Sequence, residues 1–224
     1  MSLRSPSKPA IRPIQGILLG LVILLGVLLY YQTHLSHPFG QKGPRLPKFS
    51  SVGSFALTDS AGKPFSSDAL AGKIWVAQFF FTDCGGPCPS VTAKLIELQG
   101  MLGDAQNVRI VAISIDPEND TPKKLRAYAT VHHADPDRWI FLTAHALAGG
   151  PAVIHDLVIG RFFVGFQPNT APGTTSGSRI VHSTKVALVD ATGKIRAYHD
   201  GLDEETPKLL LTDIATLMQE EKIQ

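Results

Sequence analysis

The N-terminal part of the chain contains an apolar run, residues 14–31, in which no side chain is charged. As a helix the run would be about 27 Å long, close to the thickness of the hydrocarbon core of a bilayer. Tyr30 and Tyr31 end the run, where aromatic side chains of membrane helices favour the interface. A buried helix of a soluble protein would show a polar face, which this run lacks. The pattern therefore predicts one N-terminal transmembrane helix.

The segments on either side of this run predict how the chain is placed. Residues 1–13 contain basic side chains and no acidic one, which favours a short basic tail in the cytoplasm. No A-x-A cleavage site follows the apolar run, so an uncleaved anchor is favoured over a signal peptide. Residues 32–49 are rich in proline and are typical of a linker. A single soluble domain is then expected over residues 50–224.

Within this domain, buried strands alternate with amphipathic helices. Residues 73–81 and 108–115 are apolar runs typical of strands covered on both faces, and helical spacing of apolar side chains predicts a helix over residues 89–102. The other predicted elements are a hairpin over 54–66, a helix from Thr121, a strand over 139–142, a helix over 146–157, a hairpin over 185–198 and a last helix from near Thr206. This order predicts an α/β fold with a thioredoxin-like mixed sheet flanked by helices. Residues 158–181 match neither period, and we expect a long loop that is functional or mobile.

Composition excludes several classes of protein. Of the 224 residues 44% are hydrophobic and 18% are charged, which is enough apolar material for a core and excludes wholesale disorder. The net charge is only +2, and no basic run with interleaved aromatic residues occurs, so we expect no nucleic-acid partner. Two cysteines are too few for a disulfide-stapled scaffold.

The most informative stretch is TDCGGPCPS, which places Cys84 and Cys88 between the first buried strand and the following helix. A helix N-terminus carries partial positive charge and favours a thiolate over a thiol. Two such thiols suit either disulfide exchange or the binding of a soft metal ion. A purely structural disulfide is the weaker interpretation, because closing so short a loop would contribute only about 2 kcal/mol.

Further motifs accompany the cysteines. Cys84 and Cys88 form a C-x-x-x-C-P motif after a strand ending in F-T, the second strand runs into DPENDTP at residues 116–122, and His182 precedes a late strand ending in V-D. With the anchor, these motifs resemble the Sco family, the copper proteins of cytochrome c oxidase assembly. The resemblance implies that Cys84, Cys88 and His182 bind copper. Two thiolates suit Cu(I), and an added imidazole also allows Cu(II).

Other polar and aromatic residues carry weaker signals. Asp116 ends the second buried strand, and we expect it either beside the metal ligands or as an ordinary turn or helix-capping aspartate. Phe162, Phe163 and Phe166 either line a mobile loop that moves His182 or belong to the core. The remaining histidines considered are expected to be solvated or hydrogen-bonded rather than ligands: His132, His133, His145, His155 and His199.

The resemblance implies a copper metallochaperone that delivers the ion to the dinuclear copper site of a haem–copper oxidase. Its expected partners are the oxidase subunit that carries this site and a periplasmic thiol reductant or copper donor. The main alternative is a thiol–disulfide oxidoreductase that reduces the copper-binding cysteines of the partner. A peroxiredoxin-type peroxidase is disfavoured because Phe79 and Phe80 stand where a proline is expected. A non-catalytic anchored binding module is the last alternative.

The anchor also predicts a compartment. The basic tail is too short for a mitochondrial transit peptide, so we expect a bacterial inner-membrane protein with a single span and a periplasmic domain. An oxidising periplasm would drive Cys84 and Cys88 toward a disulfide, which is why a reductant partner is implied.

Overall fold

The computed structural model describes residues 21–27, 29 and 45–222. The predicted basic tail, most of the predicted anchor and most of the predicted linker lie outside these residues. Residues 21–27 are helical and their side chains are exposed. Among the described residues, no helix combines the length and the apolar character needed to cross a membrane.

The domain is built on a seven-stranded sheet with the order β2-β1-β5-β4-β3-β8-β9 and a separate two-stranded sheet, β6-β7. The strands are β1 Ala56–Asp59, β2 Pro64–Ser66, β3 Ile74–Phe80, β4 Val108–Ser114, β5 Trp139–Thr143, β6 Phe166–Pro168, β7 Ile180–His182, β8 Lys185–Val189 and β9 Ile195–Asp200. The helices are α1 Cys88–Met101, α2 Pro122–Val131, α3 Gly150–His155 and α4 Thr206–Glu221. The predicted thioredoxin-like α/β architecture is confirmed.

Strand β3 is an interior strand of the sheet, and its seven residues are all buried. It pairs in parallel with β4 on one side and antiparallel with β8 on the other, so the sheet is mixed. Because both edges and both faces of β3 are covered, a sequence that is apolar except for Gln78 is stable there, and the amide of Gln78 donates to the hydroxyl of Thr92. The end of this strand therefore gives the loop that follows it a rigid base.

The helix after β3 forms for the reason that the sequence indicates. Its buried side chains include Val91, Leu95 and Leu98, which share one face at helical spacing. Pro89 lies in the first turn, where the missing N–H has no intrahelical acceptor to lose. This helix packs against α4. The N-terminus of α1 is therefore fixed close to the end of β3.

The region between β5 and β8 differs from the prediction. Only Gly150–His155 is α-helical, because Gly149 adopts a left-handed conformation with φ 69° and stops the helix from starting earlier. Asp156–Arg161 continues as a π-helical segment. The expected long loop over 158–181 is wrong in part, since it contains the β6–β7 hairpin and the short 3-10 helix Ser176–Ser178. Strands of three residues are too short to show a period in the sequence.

The three phenylalanines of this region have different environments. Phe162 is fully buried and its ring meets the edges of the Trp75 and Phe79 rings. Phe166 is half-buried at the start of β6, whereas Phe163 is 65% exposed. The core interpretation is therefore confirmed for Phe162 and wrong for Phe163.

A buried ionic cluster joins the start of the described domain to its last helix. Arg196 in β9 is 1% exposed, and its guanidinium lies 3.1 Å from the Asp190 carboxylate and 2.7 Å from that of Glu220. The same group donates to the carbonyl oxygens of Leu46 and Pro47 at 2.7 and 2.8 Å. These bonds hold the described end of the predicted linker against the domain.

Candidate metal centre

The two cysteines lie at the junction between β3 and α1. Cys84 is in the connecting turn and is half-buried, whereas Cys88 is the first residue of the helix and is 1% exposed. Both are free thiols. The turn at Cys84 is closed by its backbone N–H, which donates to the carbonyl of Phe81 at 3.2 Å. Strand β3 and helix α1 together therefore fix the position of both sulfurs.

The fold brings His182 to the sulfur pair from the end of β7. Its Nε2 atom is 3.1 Å from Sγ of Cys88, although 94 residues separate the two in the chain. Sγ of Cys84, Sγ of Cys88 and a ring nitrogen of His182 all lie within 4.8 Å of one another. Three candidate ligand atoms thus converge on one point.

The imidazole is oriented for metal binding by its second nitrogen. Nδ1 of His182 is 2.9 Å from the carbonyl oxygen of Ser183, and a carbonyl can only accept a hydrogen bond. Nδ1 therefore carries a proton, and Nε2, which faces the sulfurs, is the ring nitrogen placed to bind a metal ion. A hydrogen bond of this kind commonly fixes the tautomer of a metal-binding histidine.

The hairpin that carries His182 is bonded directly to the cysteine loop. The N–H of Gly85 donates to the carbonyl oxygen of Gly177 at 2.9 Å. The ring of Phe81 meets the His182 ring edge-on, with the centroids 5.9 Å apart. The site is therefore formed by two segments in contact.

Replacing Gly177 by alanine tests this contact. A Cβ atom there would lie 3.0 Å from both the carbonyl oxygen of Asp83 and the amide nitrogen of Gly85, which is tighter than nine in ten Cβ contacts and would force the backbone to shift. We expect Gly177→Ala to lower the free energy of unfolding by about 1–3 kcal/mol, the usual range for overpacking, in thermal unfolding. Gly165→Ala is the matched control, because the space at Gly165 is open. Equal stability of the two variants would contradict the close approach.

The two thiols have opposite electrostatic environments. A hydrogen bond from Cys88 lowers the pKa of Cys84. The same pairing, together with burial, raises the pKa of Cys88. One proton is therefore retained on the buried sulfur, while the more accessible sulfur is a thiolate. A thiolate is both the nucleophile of disulfide exchange and the form that binds a metal ion.

The lowered pKa of Cys84 predicts an unusual pH profile. An ordinary thiol with a pKa of about 8.5 loses roughly 80-fold in thiolate between pH 8 and pH 6. We expect the alkylation rate of Cys84 by iodoacetamide to change less than about threefold over the same range, because its thiolate persists. Cys88→Ala removes the donor and should restore a steep profile. A steep profile in the unmodified chain would contradict the assignment.

Access to the site is through an open cavity of about 410 Å³. Cys84, Pro87, Val181 and His182 contribute to its lining, and Val181 is 52% exposed. Two sulfurs and one imidazole form a donor set suited to Cu(I) and Cu(II), whereas a closed structural zinc site has four protein ligands. The donor chemistry of the described residues therefore fits copper.

Asp116 lies near this site but binds a different group. Its carboxylate accepts hydrogen bonds from the guanidinium of Arg179 and from the Asn119 side chain. Arg179 precedes His182 by three residues, so Asp116 holds the hairpin rather than bonding to a sulfur. The histidines expected to be satisfied include His145, whose Nδ1 is 2.9 Å from the Pro117 carbonyl.

The sequence reasoning missed three charged residues at the site, Asp83, Asp120 and Arg179. Asp120 is fully buried and accepts bonds from the N–H and hydroxyl of Thr82 and from the hydroxyl of Ser114. Burial raises its pKa, although the hydroxyl donors act in the opposite direction. It fixes the strand end just before Cys84. Its position inside the DPENDTP motif was the available signal.

A family model described as SCO1/SenC matches residues 44–219, which includes both cysteines and His182. This chain belongs to the SCO1/SenC family. Members of the Sco family are therefore its relatives, as the motifs indicated.

Individual relatives agree with this assignment. The SCO1 protein homolog of Bacillus subtilis (strain 168) is 30% identical over 165 residues, covering 73% of this chain and 80% of the relative. The solved structure of BsSco, a member of the Sco family of cytochrome c oxidase assembly proteins in which a disulfide switch was identified, matches with 27% identity and a TM-score of 0.64, covering 78% and 98% of the two chains. Bradyrhizobium japonicum ScoI, solved with copper bound, matches with 27% identity and a TM-score of 0.61, covering 74% and 98%.

Proposed function

We propose that this chain is a membrane-anchored copper metallochaperone that loads the dinuclear copper site of cytochrome c oxidase. Copper is its cargo, bound by Cys84, Cys88 and His182. An ion bound by two thiolates and one imidazole would remain accessible from the open side of the cavity. A partner with its own thiolates can then take the ion by stepwise exchange of ligands.

The observation that carries the proposal is the 3.1 Å approach of Nε2 of His182 to Sγ of Cys88, with Nδ1 held by the carbonyl oxygen of Ser183. No local feature of the sequence brings these groups together, so the fold itself builds the donor set. The copper-bound structure of Bradyrhizobium japonicum ScoI supports copper as the metal of this fold.

Copper titration of the purified, reduced chain tests the proposal. We expect one copper ion per chain after desalting and, for Cu(II), intense thiolate-to-copper charge-transfer absorption. Zn²⁺ is the control metal, because the described donor set lacks the fourth protein ligand of a closed zinc site. A chain that retains no copper, or retains zinc in preference to copper, would refute the metallochaperone assignment.

Delivery to the oxidase is the finer part of the proposal. It is supported by the relationship to BsSco, a member of a family of cytochrome c oxidase assembly proteins. The test is transfer of copper from the loaded chain to the isolated copper-binding domain of the oxidase subunit. Copper should appear in the acceptor when the loaded chain and the acceptor are mixed in equimolar amounts. The same concentration of copper held by a chelator should not load the acceptor.

The placement in the inner membrane rests on the apolar run over residues 14–31 and the basic tail before it. We expect alkaline phosphatase fused after Gln224 to be active and a cytoplasmic reporter at the same position to be inactive. Deletion of residues 14–31 is the control and should abolish the phosphatase signal. Activity of the cytoplasmic reporter alone would place the domain on the other side of the membrane.

Thiol–disulfide exchange is a second candidate function, favoured by the low pKa of Cys84 beside a protonated Cys88. The Cys84 thiolate would attack the disulfide of a partner, forming a mixed disulfide and releasing one partner thiolate. Cys88 would then displace the second partner thiolate, leaving the chain oxidised and the partner reduced. An external thiol reductant must restore the chain.

Turnover distinguishes this second function from copper delivery. A reductase should reduce the disulfide of the oxidase copper-binding domain catalytically when a thiol reductant is supplied, and Cys88→Ser should arrest at the mixed disulfide. In this copper-free assay, reduction of at most one partner disulfide per chain, or no reduction at all, would favour the metallochaperone function alone.

A further inference from the structure

Arg179 lies between the cysteine loop and the hairpin that carries His182. Its Nε atom donates to the carboxylate of Asp116 at 2.7 Å, and a second guanidinium nitrogen bonds to the same oxygen. Another nitrogen is 3.7 Å from the carboxylate of Asp83, the residue before Cys84. One cation is thus shared by two acidic residues on different segments. We call Asp83, Arg179 and Asp116 the charge latch.

The two acidic residues of the charge latch contribute unequally. The side chain of Asp116 is 6% exposed, whereas that of Asp83 is 41% exposed and is shared with Lys124 at 3.2 Å. An ion pair in a buried environment is less screened by water and salt than an exposed one. Asp116 is therefore the principal anchor, and Asp83 adds a weaker link to the cysteine loop.

The charge latch reaches His182 along two physical connections. Arg179 immediately precedes β7, at whose other end His182 lies. The guanidinium also lies over the ring of Phe81, 5.2 Å from its centroid, and the same ring meets the His182 imidazole. Displacing Arg179 would therefore release the start of β7 and remove the cation from the face of the Phe81 ring against which the imidazole packs.

The far end of the hairpin has its own attachments. The N–H of Ser183 donates to the carbonyl of Gly165, and the N–H of Gly201 donates to the carbonyl of Thr184. The end that includes residues 176–180 is held by the charge latch, by the Gly85–Gly177 hydrogen bond and by the partly buried side chain of Ile180. Loss of the latch should therefore turn the hairpin away from the sulfurs while its attachment to β8 persists.

We propose that Arg179 is a positioning residue that keeps His182 against the sulfur pair and thereby sets the preference of the site for Cu(II) over Cu(I). This inference rests on the proposed copper function. Cu(I) is held well by two thiolates alone, whereas Cu(II) gains more from an added imidazole. With the charge latch intact all three ligands are in place; with it broken, the dithiolate is left.

The first test uses the metal-free chain and follows the position of the hairpin directly. Arg179→Gln should speed hydrogen exchange of the Gly85 amide at least about tenfold, because its acceptor Gly177 moves away, while amides of β3 stay unchanged. Arg161→Gln is the matched control, since Arg161 forms an exposed ion pair with Asp156 in a neighbouring segment. An unchanged Gly85 amide, or equal acceleration throughout the domain, would overturn the proposal.

The second test uses copper. Changing a group that orients a metal ligand typically lowers affinity 10–100-fold, and we expect a loss in this range for Cu(II) in Arg179→Gln. Affinity for Cu(I) should change less than about threefold, and the Cu(II) spectrum should shift toward that of His182→Ala. Arg179→Lys keeps the charge but not the planar double contact, so it should recover part of the loss.

The outcomes separate the inference from the function on which it rests. Equal loss of Cu(I) and Cu(II) affinity, or no loss, overturns the positioning role. Failure of the unmodified chain to bind either ion refutes the copper function, while the Gly85 exchange result still decides whether the charge latch holds the hairpin.

A double-mutant cycle checks that Arg179 acts through Asp116. In an Asp116→Asn background, Arg179→Gln should weaken Cu(II) binding by a much smaller factor than in the unmodified chain. Asp83→Asn should cause a smaller loss than Asp116→Asn, and this loss should vanish at high salt. Additive effects of the Asp116 and Arg179 substitutions would overturn the role of the pair.

Discussion

Cys88→Ser is expected to abolish copper binding, with a loss of affinity of about a thousandfold or more, equivalent to about 4 kcal/mol. Sγ of Cys88 lies 3.1 Å from Nε2 of the imidazole, so its removal takes away one of the two sulfur ligands together with this sulfur contact of His182. A hydroxyl is a poor ligand for copper in either oxidation state. Cys84→Ser removes the other thiolate and should have a similar effect.

The measurement is copper content after desalting, together with the charge-transfer absorption of the Cu(II) form. Ser90→Ala, an exposed position in the first turn of the same helix, is the control and should bind copper normally. A cysteine variant that still holds one copper ion per chain with unchanged absorption would contradict the assignment of the site.

Replacing Arg196 by methionine is expected to destabilise the domain by about 3–5 kcal/mol. The side chain is 1% exposed, and its loss would leave the Asp190 carboxylate, 2% exposed, without its cation. Removing one partner of a buried ion pair typically has an effect of this size, because the other charge becomes uncompensated. Leu46 and Pro47 would lose a donor at the same time.

Thermal unfolding measures this effect. For a domain of this size, about 1 kcal/mol shifts Tm by roughly 2–4 °C, so the variant should unfold at least about 6 °C earlier. Lys208→Met removes an exposed ion pair with Glu205 and is the control, with an expected change below about 1 kcal/mol. A Tm for Arg196→Met equal to that of the control would show that the buried cluster does not stabilise the domain.

The elements that sequence patterns predicted well are those that bury the largest part of their surface in the core. Strand β3 is apolar except for Gln78, and helix α1 has a single apolar face, so the positions of both elements follow from burial. The β6–β7 hairpin has neither signal, because each strand has three residues and one edge pairing. It is held by particular polar contacts such as Asn169 to Ser178 and Arg179 to Asp116, which no period encodes.

The site shows the same division. Cys84 and Cys88 are evident from their spacing at a strand–helix junction, because the chemistry is local. His182 could be selected only through the resemblance to a family, since the chain separation hides its approach to the sulfurs. Arg179 has no distinguishing neighbour in the sequence at all. Its role follows from where the hairpin folds, and this depends on tertiary packing.

The long chain separation between Cys88 and His182 also couples metal binding to the stability of the folded chain. An unfolded chain holds these groups far apart, so an ion bound by all three ligands stabilises the folded state by mass action. At a free ion concentration a hundred times Kd this amounts to about 2.7 kcal/mol. Once the ion has left, that contribution is lost. The metal-free chain is therefore the form that is most susceptible to proteolysis and to oxidation of its thiols.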